Sequence, residues 1–289
     1  DVCSSDLIIN ELERKIPNLR LIKNKENVGR IQNWNVCIEN CDSKYITFLF
    51  TNDLISKDNN VHEVLKILDS DNSISVSLSP VIKIENDRKY VKRRYFDKPT
   101  KCLSKKISEE SLKRGLFPFG FIESNIFRTE DIKDISNYFL DSFTFNADEI
   151  FSYSQVMTRD QILFNHIPQI EWMMVKDRTF GRTKLEDEID EYYNTIEIIE
   201  ERLGINVDYG LVSTYRLFNL IKYFLLNFSK NTNKKKIFGH ILSQMKKKNT
   251  FFTLDYLLTK IIFNKLKNKN KEMEDLLFKE IISECIKEN

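Results

Sequence analysis

The sequence predicts an α/β domain followed by an α-helical carboxyl-terminal region, and three features carry that expectation. The run Tyr45 to Phe50 has the aromatic and β-branched content of a central strand and leads directly into Thr51-Asn52-Asp53. Between residues 7 and 181, short apolar runs alternate with segments whose apolar residues recur at helical spacing. Beyond residue 184, Leu, Ile and Phe fall at three- and four-residue intervals over 184–203, 207–229, 234–247 and 251–288. The expected division is therefore 1–183 for the α/β domain and 184–289 for the helical region. No repeat or low-complexity linker separates them, and the 289 residues hold only seven glycines and five prolines, so the two parts are expected to pack together.

Taken in order, Leu7, Ile8, Leu12 and Ile16 predict a helix that Pro17-Asn18 ends, and Leu19 to Ile22 reads as a short strand. Asn27-Val28-Gly29 supplies a turn. From Arg30 to Asn40, Ile31, Trp34, Cys37, Ile38 and Cys41 mark one helix face, with Asn33 and Glu39 on the other. After the Tyr45 strand come a helix from about Asn60 to Leu68 and strands near Ile74 to Leu78 and Val81 to Ile84. Asp87 to Lys101 is charged and aromatic without clean period, as in a surface hairpin. Ser124 to Arg128 is another strand, and Asn146-Ala147-Asp148-Glu149 opens a helix through Met157, where acidic residues suit the positive end of the helix dipole.

Composition narrows the function. A hydrophobic content of 41% fills a core, and a formal charge of +2 does not call for nucleic acid. Five cysteines at 3, 37, 41, 102 and 285 lack the spacing of a disulfide scaffold and fit a reducing cytoplasm. Cys37 and Cys41 stand one turn apart but have no histidine partner for a zinc site, so they read as buried thiols. No apolar run approaches the roughly 20 residues a membrane-spanning helix needs. The first seven residues, Asp1 to Leu7, match the translation of a common sequencing adapter and are expected to be an assembly scar.

Asn27-Val28-Gly29, Asn33-Trp34-Asn35 and the strand ending in Asn52-Asp53 together resemble the family 2 glycosyltransferases of the GT-A fold. The resemblance covers about residues 7 to 183. It implies a Rossmann-like nucleotide-diphospho-sugar transferase domain, here lacking its first strand, because no apolar run ending in Thr-Tyr-Asn precedes Asp1. It implies an inverting enzyme that moves a sugar from a nucleotide-sugar donor to a polysaccharide or lipid-linked acceptor of the bacterial cell surface, with Mn²⁺ or Mg²⁺ as cofactor. Asn27, Gly29, Asn35, Asn52 and Asp53 then line the donor pocket, and Asp53 is the metal ligand, a hard oxygen donor suited to such a cation. Two positions depart from the family pattern. Phe50 stands where the first acidic residue is usual, and Asn52 replaces the second, which lowers the expected metal affinity. Taken alone, Thr51-Asn52-Asp53 reads rather as an N-cap or Asx turn after a strand, and the register with Asn27, Gly29 and Asn35 is what favours a binding role.

The same resemblance assigns the acceptor's proton to Asp148, a carboxylate opening a helix after the aromatic stretch Tyr138 to Phe145; Glu149 takes that role if the register slips by one. Arg178 and Arg182 fall where relatives carry a loop with a cation near the diphosphate, where either could offset the charge lost at Asn52; taken singly, each reads rather as a residue of a solvated loop. Lys234 to Lys236, Lys246 to Lys248 and the lysines of 265–271 interleave with apolar faces, a pattern suited to a peripheral contact with the inner face of an anionic membrane and equally to solvated helix faces. Two other readings stand beside this one: a catalytically inactive relative that binds nucleotide or glycan, suggested by Asn52, and a lysine-rich helical interaction protein.

Overall fold

Two mixed sheets organise residues 11–12, 14–85, 88–113, 118–134, 138–173, 185–204, 240, 243 and 278–283, which the computed structural model describes. Their strands are β1 (Tyr45–Ile46), β2 (Leu54–Ile55), β3 (Ile74–Leu78), β4 (Val81–Glu85), β5 (Arg88–Lys92), β6 (Thr100–Leu103), β7 (Asn125–Arg128), β8 (Gln161–Phe164) and β9 (Ile170–Met173). The larger sheet has the order β1-β7-β3-β8-β6 and the smaller one β2-β9-β4-β5. In the larger sheet β3 and β8 are parallel, while β7 runs antiparallel to both β3 and β1. β1, β3 and β8 therefore point the same way, and their carboxyl ends share one edge.

Alternation along the central strands separates two apolar layers. Phe127, Ile162 and Phe164 face the main core, and Ile126 and Leu163 face a smaller cluster with Val64 and Leu68. The smaller cluster lies under helix α2 (Val61–Ser70). The main core receives α1 (Arg30–Glu39), α3 (Ser104–Lys113), α5 (Ala147–Val156) and α6 (Leu185–Leu203). A short helix α4 (Thr129–Asp134) follows β7 directly. Tyr193, Ile196 and Ile199 of α6, with Phe278, Ile281 and Ile282, belong to the same core as the α/β domain. The described parts of 184–289 thus pack on 1–183; the helix expected over 207–229, that over 234–247 apart from residues 240 and 243, and that over 251–288 apart from residues 278–283 lie outside the described residues.

Among the described residues Arg128 is one of the largest fully buried side chains, and it is satisfied by backbone oxygens: Nε donates to Ile74 O at 2.8 Å, and Nη2 to Leu68 O at 2.5 Å and Asp71 O at 3.1 Å. A buried cation needs such partners. It ties β7 to the α2–β3 turn at the sheet edge opposite the carboxyl ends of β1, β3 and β8.

The structure departs from the sequence expectations at several elements. Of the strand expected over Tyr45 to Phe50, only Tyr45 and Ile46 join the ladder, each opposite a residue of β7. β1 is an edge strand with one neighbour, so the rest of the run is fixed by side chains: Phe48 is buried, and Leu49 is 52% exposed. Among the described residues, Leu19 to Ile22 form no strand, and Leu19, Leu21 and Ile22 are exposed; apolar content does not supply the partner that strand N–H and C=O groups require. Cys37 is exposed rather than buried, because α1 turns Ile31, Asn35 and Ile38 inward. The stretch expected as a surface hairpin, Asp87 to Lys101, supplies only the second strand of one: β5 pairs antiparallel with β4, which precedes the stretch.

Candidate active site

Two segments deliver carboxylates to the carboxyl edge of the larger sheet. The first runs on from β1 to Asp53. Phe48 meets the rings of Phe127, Phe139 and Phe151 at 6.3, 5.5 and 6.0 Å, and Phe50 stacks on Trp34 of α1 at 5.1 Å. Asp53 itself is 7% exposed. Its N–H donates to Phe50 O at 2.9 Å, and its Oδ1 accepts the N–H of Met173, at the end of β9, at 3.2 Å. Asn52 beside it is exposed.

The second segment runs from Phe139 to Asp148 and is held chiefly by hydrogen bonds from α1. Asn35 Nδ2 donates to Phe139 O and Asn35 Oδ1 accepts from Phe139 N, both at 2.9 Å. Gln32 donates to Asp141 at 3.0 Å, and Arg30 donates to Thr144 O. Trp34, stacked on Phe50, also meets Phe139 edge-on at 5.0 Å, so one side chain braces both segments. The helix α5 then opens with Asp148 in its first turn and runs back toward the start of β8. Asp148 therefore stands on the same edge of the sheet as Asp53. Contacts and sequence neighbours link the two: Met173 donates to Asp53, the ring of the adjacent Trp172 meets Phe121 at 4.9 Å, and Glu123, two residues after Phe121, acts on Asp148 through its charge.

Asp148 has an unusual electrostatic setting. Burial raises its pKa most, followed by the charges of Glu149 and Glu123; the Glu149 N–H, which donates to Asp148 Oδ1 at 3.0 Å, and the Arg30 guanidinium act in the opposite sense and lose. The carboxyl is pushed up to about 8. A carboxylate of that basicity near neutral pH is matched to proton abstraction from a hydroxyl. Glu149, the alternative one residue on, lies against Gly120, where a Cβ would come within 3.0 Å of its Cγ.

The remaining predicted residues fall around this frame. Asn27 Oδ1 accepts the N–H of Gly29 at 3.0 Å, and Gly29 adopts φ 79° and ψ 168° just before α1. Nothing lies within 4 Å of a Cβ built on Gly29, so glycine serves the backbone angle there rather than a close approach. Asn35 is 7% exposed and engages Phe139 through both ends of its amide, which makes it a brace for the segment leading to Asp148. Arg178 and Arg182 lie outside the described residues. Arg30, Glu123 and Glu191 went unmarked in the sequence. Arg30 could have been found as the first residue of a helix next to the Asn27-Gly29 turn, whereas Glu123 and Glu191 carry no local signal.

The site can be tested against a divalent cation. Among the described residues no three His, Cys, Asp or Glu side chains converge on a point that could hold a metal. Asp53 is a single carboxylate beside the neutral Asn52. Such a pair fits a cation that draws its other ligands from a substrate's phosphates and water, which is how Mg²⁺ is commonly held, and does not fit a preformed metal cage.

The sheets, with two acidic residues at the shared carboxyl edge, define an α/β domain of GT-A type. Residues 4–135, just under half of the chain, match the family model described as Glycosyl transferase family 2. Among solved structures, the chain resembles S. aureus TarS 1–349 in complex with UDP-GlcNAc, with TM-score 0.58 and 15% identity over 96% of this chain and 78% of that one. The complex of the same protein with UDP gives TM-score 0.58 and 13% identity over 99% and 80%. Against a longer TarS chain the TM-score is 0.52 with 16% identity, and the match spans 79% of this chain but only 37% of that one. At these identities the likeness concerns the fold. No curated protein matches by sequence. Among the described residues no helix is long and apolar enough to cross a membrane.

Proposed function

We propose that this chain is an inverting glycosyltransferase that moves a sugar from a nucleotide-sugar donor to a glycan or lipid-linked acceptor in bacterial cell-surface synthesis. The observation that carries the reading is Asp148: a carboxyl of raised basicity in the first turn of α5, on the sheet edge that also carries Asp53. The UDP-GlcNAc and UDP complexes of TarS, which share this fold, support a uridine nucleotide as the donor class to test first. In this reading Asp148 accepts the proton of the acceptor hydroxyl as its oxygen bonds to the anomeric carbon and the nucleoside diphosphate departs. Asp53 is the protein's ligand for Mn²⁺ or Mg²⁺, which when bound neutralises charge on the departing diphosphate. Arg178 and Arg182 are assigned to the same diphosphate. Asn27 and Gly29 shape the turn that borders the donor, and Asn35 holds the Asp148 segment in place. A cytoplasmic location with peripheral membrane contact through the lysine-rich carboxyl-terminal segments fits a lipid-linked acceptor.

The test is release of UDP from UDP-GlcNAc by the full chain with and without Mn²⁺. Metal-dependent release that Asp148→Asn lowers by about 10² to 10⁴ is the expected result, the usual range for general-base assistance. A second reading, an inactive relative that only binds nucleotide, is favoured by one observation: Asn52 stands exposed where a second carboxylate would strengthen the cation site. Calorimetric binding of UDP without turnover of any common sugar nucleotide would select it.

A further inference from the structure

The turn that delivers Asp148 is gripped from outside its own neighbourhood. Glu191, on α6, accepts three successive backbone N–H groups: Thr144 and Asn146 at 2.8 Å each through Oε2 and Oε1, and Phe145 through Oε1. Consecutive amides converging on one anion form a backbone nest, and bonds to a charged acceptor are the strong kind. Local capping does not do this work, because Asn146, the residue that precedes α5, makes no side-chain cap bond. On the other side of the same turn Arg30 donates to the carbonyl of Thr144. The turn is thus clamped at its N–H groups by an anion from α6 and at a carbonyl by a cation from α1, two residues before Asp148.

We propose that Glu191 is a positioning residue of this site: it holds the Thr144–Asn146 turn in the conformation that aims the Asp148 carboxylate. The inference rests on the reading of Asp148 as the base. The groups that face Asp148 are Glu149 on its own helix, Glu123 in the turn before β7 and Arg30 from α1; Glu191 acts on the backbone that carries Asp148 rather than on its carboxylate. Its effect therefore passes through geometry and water access. A displacement of about 1 Å at a reacting group can cost on the order of 10² in rate. A loosened turn also admits water to Asp148, relieves the burial that raises its pKa, and returns it toward the ordinary carboxylate range. The arrangement makes the carboxyl-terminal helix α6 part of the catalytic frame.

The experiment compares Glu191→Gln, Glu191→Asp and Glu191→Ala in the full chain. It measures kcat and KM for UDP-GlcNAc, the acid limb of the pH–rate profile, UDP affinity and thermal midpoint. We expect kcat to fall about 10- to 100-fold in the Gln and Ala variants, with KM and UDP affinity within about twofold. The acid limb should move to lower pH, and Asp, which keeps the charge, should recover part of the loss. Should the Ala variant fail to fold, the Gln variant decides. A folded Gln variant with unchanged kcat and an unmoved limb, while Asp148→Asn is inactive, overturns the proposal and leaves the base reading intact. A lowered thermal midpoint with unchanged activity per folded molecule also overturns it, since Glu191 would then be structural only. If Asp148→Asn remains active, the base reading fails first and this inference with it. Without turnover, the same comparison is read from stability against pH. The contribution that Asp148→Asn removes between pH 4 and 8 should shrink in the Glu191→Gln background, and an unchanged contribution overturns the proposal.

Discussion

The segment carrying Asp53 and the segment carrying Asp148 reach the same edge of the sheet but are fixed by different physics. Beyond Ile46 the first has lost its ladder, and it is placed by rings: Phe48 among Phe127, Phe139 and Phe151, and Phe50 on Trp34. The second begins at one of those same rings, Phe139, and is otherwise placed by polar contacts with Asn35, Gln32, Arg30 and Glu191. Apolar packing tolerates small shifts at low cost, whereas hydrogen bonds fix direction. The cation ligand proposed at Asp53, which would share its charge with a mobile diphosphate, suits the former. The base proposed at Asp148, which would have to meet one hydroxyl, suits the latter.

The largest expected effect separates chemistry from stability. Asp148→Asn should reduce kcat by about 10² to 10⁴, roughly 3 to 5 kcal/mol of barrier. In the wild type the carboxyl is pushed up to about 8, so activity should rise with pH through that region as the base loses its proton. Stability should follow the opposite course. A carboxyl whose folded pKa lies above its unfolded value binds protons more tightly when folded, so its stabilisation is complete below about pH 4 and is lost as pH rises toward 8. Denaturant unfolding of wild type and Asp148→Asn across that window measures the term; parallel curves for the two proteins would show that the burial of Asp148 has no such consequence.

The first segment should respond in stability instead. Phe48→Ala removes the ring that three others surround and should cost about 3 to 5 kcal/mol, the range for a buried aromatic. On the second segment, Asn35→Leu keeps the volume but orphans Phe139 N–H and C=O, at about 1 to 3 kcal/mol for each buried group left unpaired. Thermal unfolding ranks the two, and because the Asn35 change also frees the path to Asp148, its loss of kcat should exceed that of Phe48→Ala per kcal/mol of stability lost. Equal losses would erase the contrast between the segments.

How far the sequence disclosed this site depends on how local each contact is. The place of Asp148 in the first turn of α5 was legible because an acidic pair opening a helix leaves a local pattern, and the Asn27-Gly29 turn was legible for the same reason. Asn35 was legible as a position but not as a brace, since its partner, Phe139, lies 104 residues away. Glu191 is hidden for a similar reason: nothing in an acidic helix distinguishes the one carboxylate that finds three distant amides. The shortened β1 escaped because a strand's extent is set by its neighbours and not by its own residues. Expected strands that have partners, such as Ile74 to Leu78 and Val81 to Ile84, were found where their apolar runs placed them.

The smallest expected effect concerns the turn before α1, which serves both segments at once because α1 carries Trp34 as well as Asn35. Gly29 sits at φ 79° and ψ 168°, a region that glycine almost alone occupies, with its N–H accepted by Asn27 and its C=O taking the first helical bond, from Asn33 at 3.0 Å. No atom crowds the position, so Gly29→Ala meets only backbone strain, about 1 kcal/mol or somewhat more. The chain relieves that strain most cheaply by rotating the Val28–Gly29 peptide rather than by moving α1, whose Ile31 and Ile38 are locked in the core. Donor affinity should therefore fall severalfold while kcat at saturating donor stays close to wild type. If kcat falls instead and KM holds, α1 has moved, and the turn acts on Asp148 through the brace at Asn35 rather than on the donor directly.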